Sequence, residues 1–238
     1  MIVHVYTIAR NEATLMPYFL RHYASFASRI VVYDDGSTDG TREMVAACPV
    51  AELRDYPHGN GLDDGLFVAL LSSAYPESRG VADWVICVDA DEFVYHPDVL
   101  GVLAQAKLDG HAVLWTRGYS MLADHLPTTD GQIYDEVFEG VGAHRYDKPC
   151  ILQPATRIRW HRGRHGKTIT ERAGRTDVGV KLLHYRHLSL PYCLARDAHN
   201  AARWSCIDER NEVVARWTTA SREYYHKQWP KRTDVVHG

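Results

Sequence analysis

Trp84-Val85-Ile86-Cys87-Val88-Asp89-Ala90-Asp91-Glu92-Phe93 joins an apolar strand to an acidic turn. The residues before Asp89 are apolar throughout, which is typical of a central strand in a parallel sheet because both of its faces are buried. Asp89 and Asp91 are two positions apart, so their side chains point to the same side of an extended chain. Ligands of open α/β sheets bind beyond the carboxyl ends of the strands. The stretch therefore predicts a parallel sheet with a binding site at its acidic end.

Strands and helices alternate around this stretch. The sequence predicts further strands at residues 2–9, 30–33, 50–53 and 112–116. It predicts helices after Asn11 and after Thr41, at 63–75, from Pro97 to about 108, and from about 191 to 229. Such alternation predicts an α/β fold with a mainly parallel sheet flanked by helices and a helical C-terminal end. Residues 118–150 contain repeated glycines, and we expect them to form a long binding loop.

A second acidic turn follows the strand at 30–33 and reads Asp34-Asp35-Gly36-Ser37-Thr38-Asp39-Gly40-Thr41. Carboxylates at such a strand end accept hydrogen bonds from the edge of a base or from ribose hydroxyls, and Gly36 permits a close approach of the backbone. Asp39 is expected to cap the helix that follows. From the residues alone, one alternative stays open, in which both acidic turns only cap strands and helices.

Three motifs together resemble the family 2 type of glycosyltransferases with the GT-A fold. They are Ile8-Ala9-Arg10-Asn11-Glu12, the segment from Tyr33 to Thr41, and Asp89-Ala90-Asp91-Glu92, in this order and spacing. The resemblance covers about the first hundred residues. It implies a metal-dependent transfer of a sugar from a nucleoside-diphosphate sugar, with a UDP-sugar favoured, to an acceptor of unknown identity. It also implies Mn²⁺ or Mg²⁺ as the cofactor.

The resemblance further implies roles for individual residues. The donor-binding set in the first half of the chain is Ile8, Arg10, Glu12, Asp34, Asp35, Asp89 and Ala90. Asp89 and Asp91 are the implied metal ligands, and carboxylate oxygens suit these hard cations. Glu92 would orient the metal ligands from behind.

Residues later in the chain complete the predicted site. The candidates for binding the diphosphate oxygens are Lys148, Arg162, Arg164 and Lys167. GT-A enzymes often supply a further metal ligand as a late histidine, and both His161 and His184 fit that position. A lone histidine is also commonly structural, so the choice between them stays open.

The general base is where this sequence departs from the family. Inverting members carry a Glu-Asp pair after the metal motif, and no such dipeptide follows residue 92 here. Asp135 and Glu136 are the nearest substitutes and lie in the expected loop. We predict that one of them deprotonates the acceptor in an inverting reaction. A retaining reaction, which needs no such base, is the alternative.

Composition bears on location and partners. The chain has 238 residues, a formal net charge of −3, and no apolar run of the ~18 residues that a membrane-spanning helix requires. Its five cysteines include no CxxC pair, which favours a reducing compartment over a disulfide framework. We therefore expect a cytoplasmic protein, with peripheral membrane association left open, and no nucleic-acid partner.

We expect a single domain over residues 1–238. Its parts are a nucleotide-sugar-binding region at 1–117, an acceptor and metal/phosphate region at 118–190, and C-terminal helices at 191–238. Two other functions stay open. A sugar-phosphate nucleotidyltransferase typically has a glycine-rich phosphate loop where this chain has Ala9-Arg10-Asn11-Glu12. A non-catalytic nucleotide-sugar-binding module would have less need for an intact Asp89/Asp91 pair.

Overall fold

The computed structural model describes residues 1–57, 63–160, 169–170, 177–203 and 210–237. The strands in these residues are β1 Val3–Ala9, β2 Arg29–Asp34, β3 Ala51–Asp55, β4 Trp84–Cys87, β5 Glu92–Tyr95, β6 Val113–Leu122, β7 Glu139–Gly142, β8 Lys148–Leu152, β9 Ile158–Arg159, β10 Ile169–Thr170, β11 Asp177–His187 and β12 Thr233–Asp234. The α-helices are α1 Met16–Ala24, α2 Thr41–Ala47, α3 Asp64–Ala74, α4 Val99–Leu108, α5 Ile133–Glu136, α6 Leu190–Ala202 and α7 Arg210–Gln228.

Within the described residues, ten strands form one mixed sheet. Its main path runs β12-β7-β6-β8-β4-β1-β2-β3, and β11 pairs with both β6 and β5. The strands β4, β1, β2 and β3 are mutually parallel neighbours, whereas β8 is antiparallel to both β4 and β6. The prediction of a helix-flanked sheet, mainly parallel in its first hundred residues, is confirmed.

A hydrophobic core covers each face of this sheet. Val5 and Tyr6 of β1 are both fully buried, and alternation along the strand sends them to opposite faces. Val5 belongs to the cluster that includes Phe19 of α1, and Tyr6 belongs to the cluster that includes Leu71 of α3. Burial on both faces is the reason that the central strand β4 is apolar at every position.

Strand register brings the two acidic turns to the same edge. β1 lies between β2 and β4, and Ala9 at its carboxyl end pairs with Asp34 of β2. On the other side, Tyr6 of β1 pairs with Cys87, two residues before Asp89. Both acidic turns therefore follow strands that flank β1, as expected for a ligand site in a parallel sheet.

The prediction of a loop at 118–150 is wrong in one respect, because much of this segment is regular secondary structure. It contains the end of β6, then α5, β7 and the start of β8. Its glycines serve close packing. A Cβ at Gly118 would lie 2.4 Å from the carbonyl carbon of Tyr146, and one at Gly140 would lie 2.7 Å from the carbonyl oxygen of Ser120. Glycine at these two strand positions therefore marks a close approach of backbones.

The C-terminal third adds two helices, which lie in the region predicted to be helical. It also adds strand β11, which the sequence did not predict. Helices α6 and α7 fall within the predicted helical region 191–229, and a gap in the described residues separates them. The unpredicted β11 runs parallel to β6 and antiparallel to β5, so a late segment is inserted into the sheet. In the part of the chain that the structure describes, no helix has the length and apolar character needed to cross a bilayer.

Candidate active site

Asp34 organises the turn after β2. Its Oδ2 accepts hydrogen bonds from the backbone N–H groups of Gly36 and Ser37, at 3.1 and 3.0 Å. Arg42 of α2 donates to the same oxygen at 2.8 Å. Gly36 has φ of 73°, a left-handed conformation that favours glycine. Asp34, predicted to bind the donor, is thus buried and holds the turn in shape.

The loop after β1 is tied to this turn by side chains. Asn11 has φ of 51° and accepts from the backbone N–H of Thr38 at 2.8 Å. The N-cap of α1 is Leu15. Asp39 accepts from the backbone N–H groups of Thr41 and Ala13, at 3.1 and 2.9 Å. Asp39 therefore caps the start of α2 as predicted. These contacts fix the Arg10–Glu12 segment against the turn.

Asp35 lies between two arginines. Its carboxylate pairs with the guanidinium of Arg203, just after α6, and is 3.8 Å from Nη1 of Arg10. Arg10 also donates to the backbone carbonyl of Asp35. Burial raises the pKa of the Asp35 carboxyl above its ordinary value, although Arg203 and Arg10 act in the opposite direction. This is a desolvated, charge-paired carboxylate at the strand end.

Asp91 is the centre of a second, buried charge cluster. Its Oδ2 lies 2.8 Å from Nη1 of Arg196 on α6 and 3.2 Å from Nε2 of His184 on β11. The same Arg196 donates through Nη2 to Oε1 of Glu12 at 2.7 Å. A single guanidinium thus bridges two carboxylates that come from the ends of different strands.

The pKa values of the two carboxyl groups in this cluster are shifted in opposite directions. Burial disfavours the charge on Asp91, but Arg196 and His184 outweigh it and hold the pKa of that carboxyl well below its ordinary value. Burial raises the pKa of Glu12 to about 7, with Arg196 opposing the rise and Asp91 adding to it. Asp91 is therefore anionic at neutral pH, whereas Glu12 is close to its midpoint there.

A buried ion pair supports the metal motif from behind. The ammonium of Lys148 lies 2.6 and 2.7 Å from the two carboxylate oxygens of Glu92, and both side chains are fully buried. Lys148 also donates to Oδ2 of Asp89 at 3.1 Å, and the backbone N–H of Asp89 donates to Glu92 at 2.9 Å. Lys148, predicted to bind the diphosphate, here holds the turn that carries Asp89.

The donor set at this edge fits a divalent cation. Asp91 Oδ2 and His184 Nε2 are 3.2 Å apart and share a hydrogen bond. Two ligand atoms at about 2.1 Å from one ion and at right angles to each other also lie about 3 Å apart. Asp89 follows the same strand, and its side chain is 45% exposed. Among the described residues, no three or more His, Cys, Asp or Glu side chains converge on one point. Oxygen atoms of a bound donor and water would complete the coordination.

The other predicted site residues lie as follows. Ile8 is half-buried on β1, and Ala90 is buried between the two aspartates. Asp135 accepts from the backbone N–H of Gln132 at 2.7 Å and so caps α5. Glu136 accepts from the N–H groups of Thr128 and Thr129, both at 2.8 Å. His161, Arg162, Arg164 and Lys167 lie outside the described residues.

Arg196 and Arg203 are the site residues that sequence reasoning missed. Both belong to the region predicted to be helical, but neither was predicted to join the site. Their spacing of seven places them on one face of a helix, two turns apart. A pair of arginines at this spacing, after two acidic turns, is the signal that identifies them.

Three solved structures are similar to parts of this chain or to most of it. TarS of S. aureus, residues 1–349, is 13% identical, with 94% of this chain and 72% of that chain covered at a TM-score of 0.42. Glucosyl-3-phosphoglycerate synthase from Mycobacterium tuberculosis, with Mn²⁺, UDP-glucose and phosphoglyceric acid, is 20% identical over 50% of this chain and 44% of that chain, at 0.35. Mannosyl-3-phosphoglycerate synthase from Rubrobacter xylanophilus is 21% identical over 51% and 41%, at 0.37.

The likeness to these structures is limited in extent. The chain spans less than half the length of either synthase. No curated protein matches the sequence. The family match is broader, since it extends over residues 5–148 and so takes in both acidic turns and Lys148. Over more than half of its length, then, the chain matches Glycosyl transferase family 2, and it belongs to that family of glycosyltransferases.

Proposed function

We propose that this glycosyltransferase is metal-dependent and transfers a sugar from a nucleoside-diphosphate sugar, with a UDP-sugar favoured. The observation that carries the proposal is the convergence of Asp91 and His184, 3.2 Å apart, beside the partly exposed Asp89. Mn²⁺ or Mg²⁺ held there would neutralise charge on the leaving diphosphate. The acceptor hydroxyl would come from a second substrate.

The remaining residues of the cluster have separate roles in this proposal. Asp35 would accept hydrogen bonds from the nucleoside, with Arg10 and Ile8 beside it. Arg203 would shift from Asp35 toward the donor as the nucleoside takes its place. Arg196 already carries a positive charge into the pocket of Glu12 and Asp91. Guanidinium groups pair well with phosphate oxygens, so both arginines suit an anionic donor.

Nucleotide binding is the direct test of the donor. Thermal shift with UDP, GDP and dTDP, each with and without Mn²⁺, should give the largest stabilisation with UDP plus Mn²⁺. A ligand at 100 times its Kd adds about 2.7 kcal/mol to the free energy of unfolding. Stabilisation by none of the three nucleotides would overturn the proposal. Binding of UDP without turnover of any UDP-sugar would instead indicate the non-catalytic module.

Asp91→Asn separates metal dependence from folding. The amide keeps the shape of the side chain but removes the anionic ligand, so transfer or donor hydrolysis should fall by roughly 100-fold or more. Asp109→Asn, an exposed position after α4, is the matched control and should keep full activity. Unchanged turnover in Asp91→Asn, or full activity in excess EDTA, would refute metal dependence.

We also propose an inverting reaction, with Asp135 or Glu136 as its base. Both carboxylates have backbone partners here, so a catalytic role requires that one of them be released toward the acceptor. NMR of the product gives the anomeric configuration. A positioned base contributes roughly 100-fold or more to the rate, so a loss below about tenfold in kcat in both Asp135→Asn and Glu136→Gln would exclude them.

A further inference from the structure

A cavity of about 550 Å³ lies between β11, α6 and α7, outside the carboxylate cluster. Its size is within the range of small-molecule sites, which is about 300–1,000 Å³. Aromatic and cationic side chains share its lining, among them Arg145, Tyr146, Arg186, Trp217 and Tyr224. Nothing in the donor site described above uses this space.

Three aromatic residues give the cavity flat apolar surfaces. Trp217 and Tyr224 lie on α7, Tyr146 lies just before β8, and all three line the same space. Aromatic side chains contact sugar rings and bury large areas at little cost in side-chain entropy. Ser221 and Asn200 add polar groups that can meet hydroxyls. The lining therefore suits a ring that carries hydroxyl groups.

Arg145 supplies a positive charge to this aromatic wall. Its guanidinium carbon lies 4.2 Å from the ring centre of Tyr224 and 4.8 Å from that of Tyr146, and Nη2 donates to the Tyr146 hydroxyl at 3.0 Å. Within the described part of the chain, no carboxylate is within ion-pair distance of Arg145. The stacked guanidinium is held in place by the two rings, and it forms part of the cavity lining.

The other charges of the lining leave this arginine as the anion-binding group. Arg186 is paired with the buried Asp197 of α6. Asp64, at the start of α3, adds a carboxylate to the lining. The cavity thus combines a cation at Arg145 with the aromatic rings of Tyr146, Trp217 and Tyr224.

The cavity adjoins the metal motif through one ring contact. Tyr146 lines the cavity, and its ring lies 4.5 Å from that of His184 in an edge-to-face arrangement. His184 in turn contacts Asp91 at 3.2 Å. A ligand against Tyr146 is therefore close to the place where the donor sugar would be released.

We propose that this cavity is the acceptor site and that the acceptor is an anionic sugar or a similar hydroxylated ring, with a phosphate or carboxylate bound by Arg145. The acceptor role rests on the proposed transferase function. The preference for an anion rests only on the cavity. The acceptor role and the preference for an anion can therefore be refuted separately.

Ligand-observed NMR titration tests the preference with three probes of one ring type: glucose, glucose 6-phosphate and glucuronate. The protein is saturated with UDP and Mn²⁺, and the titrations are repeated without them. We expect at least one anionic probe to bind about tenfold more tightly than glucose, since a hydrogen bond to a charged group is worth about 1.5–3 kcal/mol. The phosphate and carboxylate probes show which anion is preferred.

Variants at Arg145 assign the preference to the cavity. Arg145→Met should abolish it, Arg145→Lys should retain part of it, and Arg222→Met, an exposed arginine on α7 outside the cavity, should leave it intact. Equal affinities for the three probes, no binding of any probe, or a preference that survives Arg145→Met would overturn the proposal. If the preference appears as expected but UDP does not bind, the anion site stands and its role as acceptor site in the proposed transfer fails.

Discussion

Charged side chains at the carboxyl edge of the sheet form buried ion pairs. The clearest is Lys148 with Glu92, since neither side chain is exposed. A buried pair is weak evidence for net stability, but removing one partner leaves an uncompensated charge and costs about 3–5 kcal/mol. The pair also fixes Asp89, so its loss should affect both stability and the site.

Lys148→Met is predicted to lower the free energy of unfolding by about 3–5 kcal/mol, because the Glu92 carboxylate stays buried without its cation. The double variant Lys148→Met/Glu92→Gln should recover much of that loss, since no unpaired charge remains. Urea denaturation of the wild type, both single variants and the double variant gives the coupling energy. Additive effects of the two changes would contradict the prediction.

Individual residues differed in how far the sequence revealed them. Asp35 and Asp91 were predicted as site residues because each lies in a turn that follows an apolar strand. The position of Lys148 in the chain gave no sign that it would be buried, because its partner Glu92 is 56 residues away. Long-range pairing of this kind follows from topology, and the sequence pattern near Lys148 does not contain it.

Helix α6 brings two arginines to the site. It carries Arg196 to Asp91 and Glu12, and Arg203 just beyond its end reaches Asp35. The helix therefore supplies counterions to both acidic turns at once. Since Arg196 contacts the same oxygen of Asp91 that faces His184, it would compete with a cation bound at the proposed metal site.

Arg196→Met is predicted to strengthen binding of Mn²⁺ to the nucleotide-free protein. Removing a neighbouring unit charge from Asp91 should lower the Kd for Mn²⁺ roughly tenfold or more. The EPR signal of free Mn²⁺ measures this Kd directly. Arg203→Met is the control on the same helix face, since it pairs with Asp35, and should leave the Kd unchanged. Weaker Mn²⁺ binding in Arg196→Met would show that the arginine does not compete.

The elements that sequence analysis missed share one physical cause. Strands β1, β2 and β4 follow local apolar patterns and were predicted within a few residues. By contrast, β7 contains Gly140 and Gly142, whose spacing suggested a loop. Gly140 is required by the close approach of β6. Contacts with residues distant in the sequence determine which residue is needed at such positions. Local propensity therefore does not predict them.

The stability of the whole molecule should depend on pH through its buried histidines. His22 packs among Tyr23, Phe26 and Phe93, and its Nε2 lies 3.0 Å from the carbonyl oxygen of Val94. Burial lowers the pKa of His22 to about 4, although the hydrogen bond to Val94 acts against it. The folded protein thus keeps this ring neutral at neutral pH.

His22 is predicted to make the protein less stable as pH falls from about 6.5 to about 4. In that window the unfolded chain binds a proton that the folded chain does not, so stability is present above 6.5 and is lost on acidification, by about 3 kcal/mol in total. Below about 4 the folded state also binds the proton and the slope ends. His22→Phe should flatten the curve of unfolding free energy against pH, whereas exposed His226→Phe should not. Parallel curves for wild type and His22→Phe would contradict this.

The position of β11 in the sheet has a consequence for how the protein is made. β5 and β6 both require β11 as a neighbour, yet many residues separate β6 from the end of β11 at His187. A ribosome adds about 5–20 residues per second, so these two strands wait for several seconds with an unpaired edge. Exposed strand edges invite pairing with other chains. We therefore expect expression yield to depend on translation speed between residues 122 and 187 and on chaperones that shield nascent chains.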